Sequence, residues 1–295
     1  MKKILITGSC GFLFSNFIRK VIFNKLDYSI FSIDSINNNI LNNVYQNKNH
    51  SFYIGNCNDI HLLNIIMMSD NPEIIIHGAF DTTISKNIEI TSKLLEASKN
   101  KIKRFIYISS DLVYGDKSFN FDELHATNPI TEEGLSKLLC ENFVKEYCTR
   151  NNINYTIVRV GQFFGPRQNK NSLLVNKFFE IQNTEPELKT NNVYSFGYVT
   201  DAVNGLIKIV DSDTLNQTYN LSGNINVSEL ELTQSLLSVL NKDKKIKDLS
   251  GNALTQKCTL NCNKLKTLGW EPEFNLNDSI ELFSQWYLNN NWWFK

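Results

Sequence analysis

The sequence predicts an α/β fold, a doubly wound parallel sheet with a smaller C-terminal domain. Three features carry this expectation. Short aliphatic and β-branched runs alternate with helix-period segments through the first half of the 295 residues. The first run leads through a glycine turn directly into a helix, and the second run ends on a carboxylate.

In order, Lys2 to Thr7 reads as a strand, the segment from Gly8 to Gly11 as a turn, and Phe12 to Lys25 as a helix with apolar residues at helical spacing. Tyr28 to Asp34 is the second strand. Further strands are expected at Ser51 to Ile54, Ile74 to His77, Phe105 to Ser109 and Tyr155 to Val160. Helices at Ile60 to Ser69, Ile88 to Lys99 and Leu135 to Thr149 separate most of them, as crossovers between parallel strands require. After Gly165-Pro166 the rhythm changes. A helix near Leu173 to Ile181 precedes a polar stretch, then amphipathic segments at Val199 to Val210, Ser228 to Leu240 and Leu276 to Leu288. The expected division is residues 1–168 and 169–295, with part of 193–211 returning to the first unit. The Asn-rich loop Ile36 to Asn49 is the one extended low-complexity piece.

Composition narrows the function. With 42% apolar and 20% charged residues the chain can bury a proper core. Thirty basic residues offset thirty acidic ones, so no overall field draws in nucleic acid or an anionic membrane surface. The longest apolar runs fall far short of the roughly 20 residues of a membrane span. The apolar run at the N-terminus is too brief for the core of a secretory signal, so a cytoplasmic location is expected. Six cysteines lie scattered with no CxxC pair and four histidines never cluster with them, so no metal site is expected and the thiols read as reduced.

The chemistry begins at Thr7-Gly8-Ser9-Cys10-Gly11-Phe12-Leu13. Glycines between a strand and a helix let the backbone approach a pyrophosphate, and the helix N-terminus supplies donors. Asp34 closes the second strand 23 residues after Gly11, where a carboxylate accepts the adenosine ribose hydroxyls and favours NAD over NADP. The plainer alternative is a helix cap followed by a loop aspartate. Together the turn, the acid and the alternation define a Rossmann-type dinucleotide fold.

More of the chain then resembles the extended short-chain dehydrogenase/reductase family, the NAD-dependent sugar-nucleotide epimerases and dehydratases. Matching stretches are Gly55 to Asp59, His77-Gly78-Ala79, Asn87 with Leu94-Leu95-Glu96-Ala97, Arg104 to Ser110 and Val113-Tyr114-Gly115. They continue through Gly134, Ser136 and Lys137 to Arg159, Phe164-Gly165-Pro166, Asp201-Ala202, Tyr219-Asn220 and Leu268 to Pro272. The tail, Trp286-Tyr287-Leu288 and Trp292-Trp293-Phe294, looks most like the dTDP-glucose 4,6-dehydratases. The resemblance implies a smaller C-terminal substrate domain, a nucleotide-sugar substrate and a homodimer paired through the helices at Ile88 to Lys99 and Leu135 to Thr149. It also implies cofactor contacts at Gly8, Cys10, Gly11, Phe12, Leu13, Asp34, Asn56, Cys57, Ala79 and Lys137.

By the same resemblance Ser110 is the hydroxyl that meets the sugar O4, and Lys137 holds the nicotinamide ribose. Gln162 stands for the asparagine that meets the substrate diphosphate. C4 oxidation needs a base for the O4 proton while hydride leaves C4. The family's tyrosine for that task lies four residues before the lysine, a position held here by Glu133. One helical turn from Lys137, Glu133 is expected either to pair with it or to serve as a substitute base. The family's Asp-Glu pair for elimination is Asp111-Leu112 here, which keeps an acid and loses the C5 base. Phe14 replaces the third glycine of the turn, and Phe80 stands where a small residue borders the cofactor. Both rings are expected to crowd the dinucleotide cleft or to join the core. The expected activity is an NAD-dependent nucleotide-sugar epimerase, or a dehydratase and hence a lyase. The alternative is a catalytically impaired member that binds a nucleotide sugar or a partner subunit.

Overall fold

The computed structural model describes residues 1–35, 43–45, 47–115, 119–190, 192–251, 258–290 and 293. The run Asn37 to Asn39, part of the Asn-rich loop, Trp292 and Phe294 lie outside them. In chain order come β1 (Lys2–Thr7), α1 (Phe12–Phe23), β2 (Tyr28–Asp34), β3 (His50–Ile54), α2 (Ile60–Ser69), β4 (Ile74–His77), α3 (Ile84–Ser98) and β5 (Arg104–Ser110). A tight 3-10 turn at Asp111–Tyr114 leads to β6 (Phe119–Phe121), α4 (Glu132–Arg150), β7 (Asn154–Val160), β8 (Gln162–Phe164) and α5 (Leu173–Asn183). Then follow β9 (Glu187–Leu188), β10 (Val193–Tyr198), α6 (Val199–Asp211), β11 (Gln217–Leu221), β12 (Ile225–Ser228) and α7 (Glu229–Val239). The chain closes with β13 (Lys247–Asp248), β14 (Cys258–Leu260), α8 (Asn263–Lys266) and α9 (Leu276–Asn289).

Seven strands form one parallel sheet in the order β11-β7-β5-β4-β1-β2-β3. Because side chains alternate along a strand, each central strand feeds two cores. Ile4, Ile6, Ile74, Ile76, Ile106 and Ile108 face α1 and α6, while Leu5, Ile75, Phe105 and Tyr107 face α2, α3 and α4. Burial on both faces is why these strands read as unbroken apolar runs. The sheet is the Rossmann-like α/β architecture that the alternation predicts.

The C-terminal region differs from its sequence reading. Between the polar stretch that ends at Val193 and the amphipathic segment that starts at Val199 lies β10, which runs parallel to β8 and antiparallel to β12. Helices α5, α7 and α9 cover this small sheet with Phe178, Leu232, Leu236, Phe283 and Tyr287. Helix α6 packs back onto α1, and β11 adds to β7 as the edge of the large sheet. A second link is the parallel pairing of β6 with β14 across more than a hundred residues.

Three helix ends also differ. Helix α1 stops at Phe23 because Lys25 takes a left-handed backbone, φ 51°. Helix α3 begins a turn early at Ile84, its polar first turn hiding the apolar period. Helix α4 begins at Glu132 because Thr131 accepts a hydrogen bond from the Gly134 N–H at 3.0 Å.

Candidate active site

The strand order reverses between β1 and β4, opening a crevice at the carboxyl ends of the strands. A cavity of about 260 Å³ there is lined by Gly8, Gly11, Asp34, Asn56, Cys57, Ala79 and Phe80. Gly8 has φ +70°, and a Cβ on it would sit 2.7 Å from the Ala79 nitrogen, so only glycine lets β1 turn this closely past β4. Among the described residues no side chain caps α1, which leaves the N–H groups of its first turn for a ligand, and the buried Ser9 hydroxyl has no partner. The Cys10 N–H donates to Asp34 at 2.8 Å, aiming the carboxylate into the cavity. Burial raises the Asp34 pKa against the backbone donors that hold it. Burial and the Asp34 charge together push the Cys10 and Cys57 thiols up to about 12. Phe12 and Leu13 supply helix backbone here, their side chains packing on the core. These groups fit the adenosine and pyrophosphate of NAD: loose donors for the phosphates and an acid for the ribose.

The two aromatic substitutions have different outcomes. Phe14 leaves the cleft clear: it is 3% exposed, joins the core beside Phe17, and fills the space beside Gly78, where a Cβ would lie 2.2 Å from its ring. The bare Gly78 makes room for the ring at position 14. Phe80, 39% exposed, does line the cavity. Beneath it His77 is a neutral strut. Its Nδ1 is hydrogen-bonded to the Thr7 hydroxyl at 2.7 Å and its Nε2 to the Thr91 hydroxyl at 3.0 Å, while burial, aided by Lys137, lowers its pKa to about 3.

A second cavity, about 280 Å³, is lined by Asp111, Leu112, Gln162, Asn192, Tyr194 and Ser195 among others. Ser110 ends β5, and its hydroxyl accepts from the Leu112 N–H at 3.2 Å and donates to Asp111 Oδ1 at 3.0 Å. Burial raises the Asp111 pKa to about 6, with the Glu133 charge adding to the rise and the Ser110 bond opposing it. Lys137 is buried, donates to the Ile108 carbonyl at 3.0 Å and lies over Phe80 and Tyr107, 4.4 and 5.6 Å from the ring centroids. Burial lowers its pKa to about 8, and the Glu133 charge only partly offsets this.

The Glu133–Lys137 ion pair expected from spacing is absent among the described residues. Glu133 sits in the first turn of α4 with its side chain in solvent and lines neither cavity. Lys137 points inward to the end of β5 instead. The structure thus brings Ser110 and Asp111 together and puts Asp111 and Gln162 on the same cavity, whose lining includes neither Ser110 nor Glu133. Sequence reasoning placed Phe80 at the cleft but missed its contact with Lys137, and it missed Tyr194 and Asn192, which carry no motif.

The chain belongs to the NAD-dependent epimerase/dehydratase family, whose model matches residues 4–222. It is a family of enzymes, and its NAD dependence agrees with the donors found at the first cavity. Among relatives, it is 27% identical to the low-salt glycan biosynthesis protein Agl12 of Haloferax volcanii, over 97% of this chain and 99% of that protein. It is 24% identical to the dTDP-D-glucose 4,6-dehydratase of Bos taurus, over 99% of this chain and 90% of that one. Among solved structures, the fold matches a dTDP-glucose 4,6-dehydratase from Bacillus anthracis in complex with NAD, with a TM-score of 0.90, 24% identity and coverage of 99% and 98%. It also matches a UDP-glucose 4-epimerase from Thermotoga maritima with UDP-glucose, with a TM-score of 0.87, 24% identity and coverage of 98% and 99%.

Proposed function

We propose that the protein interconverts nucleotide sugars by reversible oxidation at C4 of the hexose, as a UDP- or dTDP-sugar 4-epimerase does. The observation that carries this reading is the pairing of a dinucleotide cradle at β1 and β2 with a serine–aspartate pair at the end of β5. Gly8, Gly11 and the first turn of α1 hold the pyrophosphate of NAD, Asp34 and the Asn56–Cys57 segment its adenosine, and Ala79 and Lys137 its nicotinamide side. Bound there, NAD supplies a reversible hydride acceptor. Gln162 meets the diphosphate of the substrate, and Ser110 its reacting hydroxyl.

Leu112 argues against loss of water. Elimination needs an acid for the leaving hydroxyl and a base for the C5 proton, and among the described residues Asp111 is the one carboxylate lining the second cavity. Incubation with NAD and UDP-glucose or dTDP-glucose, followed by chromatography of the sugars, tests this. A C4 epimer is expected; a 4-keto-6-deoxy product would move the protein to the dehydratases, and no product from a panel of nucleotide sugars would remove the reading. The impaired alternative gains no support from an intact cradle.

Two further traits belong to this proposal. The protein acts as a homodimer through α3 and α4, because Leu135 and Leu139 leave apolar surface on α4. Light scattering should then give about twice 34.0 kDa. It works in the cytoplasm, a reducing compartment suited to its free Cys10, Cys57, Cys140, Cys148 and Cys262.

A further inference from the structure

We propose that Ser110 and Asp111 form a two-step proton relay that takes over base catalysis at the substrate O4 from the missing tyrosine. This inference rests on the C4 reading above and names the base that it requires. A serine hydroxyl has one proton and two acceptor sites. In Ser110 the proton is committed to Asp111 and one acceptor site to the Leu112 N–H, so a single acceptor site remains for a substrate hydroxyl. Asp111 borders the sugar-side cavity. The competing groups are placed elsewhere: Glu133 is in solvent, and Lys137 is turned to the Ile108 carbonyl and the Phe80 ring.

The balance is simple. The O4–H bond breaks as its proton joins Ser110 Oγ, and the Ser110 proton joins Asp111 Oδ1. The electron pair of O4 forms the C4 carbonyl as the C4 hydrogen departs as hydride to NAD, the family's own oxidant. In the return step hydride comes back to C4, and the proton retraces its path from Asp111 through Ser110 to O4. Asp111 is thus a positioning residue that acts through Ser110. Among the described residues, the charged and titratable groups near it are Glu133 from α4 and Tyr194, which lines the same cavity. Glu133 contributes by charge: its carboxylate makes Asp111 hold a proton more strongly.

The test follows NADH absorbance after mixing the full-length protein and NAD with UDP-glucose or dTDP-glucose from pH 5 to 8. The wild-type rate should rise with pH through a midpoint near 6. Asp111→Asn and Ser110→Ala should each cost about 10²- to 10⁴-fold, and Glu133→Gln should move the midpoint to lower pH. A rate in Asp111→Asn within tenfold of wild type, or a midpoint indifferent to Glu133→Gln, overturns the relay while leaving the C4 reading intact. Absence of NADH with every sugar overturns both. Independently of turnover, carboxyl ¹³C NMR of the protein alone should show Asp111 titrating near pH 6 and moving upward in Ser110→Ala. An unmoved signal means the two groups are uncoupled and also overturns the relay.

Discussion

Two cations lie buried at the interface of α4 with the large sheet, and they are treated in opposite ways. Arg159 of β7 is gripped in two-point fashion by Glu141 of α4, at 3.0 and 2.8 Å, and rests on the Tyr114 ring. Ser109 and Tyr114 complete the network, and Asn220 of β11 extends it. The carboxylate more than offsets burial and raises the Arg159 pKa. Lys137, one turn before Glu141 on the same helix, receives a single carbonyl and two aromatic faces, and its pKa falls to about 8. A buried cation matched by a carboxylate holds its proton firmly, whereas one given only a carbonyl and ring faces gives it up more readily.

The comparison is open to attack, most forcefully at Glu141. Glu141→Gln should strand Arg159 without a counter-charge and cost about 3 to 5 kcal/mol in chemical denaturation; a loss below about 1 kcal/mol would falsify the structural role given to this pair. Lys137→Met should behave oppositely, holding or gaining stability while the thermal shift given by NAD shrinks.

pH sharpens the same contrast. Lys137 titrates near 8 in the folded protein and near 10.5 unfolded, so between these values the unfolded chain binds the extra proton. The stability of wild type relative to Lys137→Met should therefore rise with pH across this window, by up to about 3 kcal/mol. A flat difference curve would mean that the lysine is better solvated than its burial implies. The smallest effect is expected at Phe80. A double-mutant cycle between Phe80→Leu and Lys137→Met should give a coupling of about 0.5 to 2 kcal/mol, and zero coupling would remove the ring from the account of Lys137.

A parallel test concerns the fit of the Phe14 ring against Gly78. Gly78→Ala should cost about 1 to 3 kcal/mol by overpacking against the Phe14 ring. Phe14→Ala should relieve that penalty even as it opens a cavity of its own.

Much of this was legible in the residues. Strands β1, β2 and β4 and helix α2 match their sequence bounds: both-face burial gives the strands unbroken apolar runs, and Asp59 caps the start of α2. Gly8, Gly11 and Asp34 converge as their spacing implied, since a strand–turn–helix unit carries its own geometry. The failures share one cause. Spacing placed Glu133 beside Lys137, but spacing cannot say that the end of β5 offers Lys137 a carbonyl while Glu133 stays in water. It also could not show that Phe14 had room at Gly78, 64 residues away.

The sequence by itself determined the alternating architecture, the dinucleotide turn and the serine–aspartate pair, because each depends on neighbours along the chain. Tertiary structure alone decided which cation received a carboxylate, which aromatic ring joined the core and which entered the cleft, and which carboxylate faced the second cavity. Those outcomes depend on contacts between distant segments, where burial and the competition for partners set the energy and no local pattern records the result.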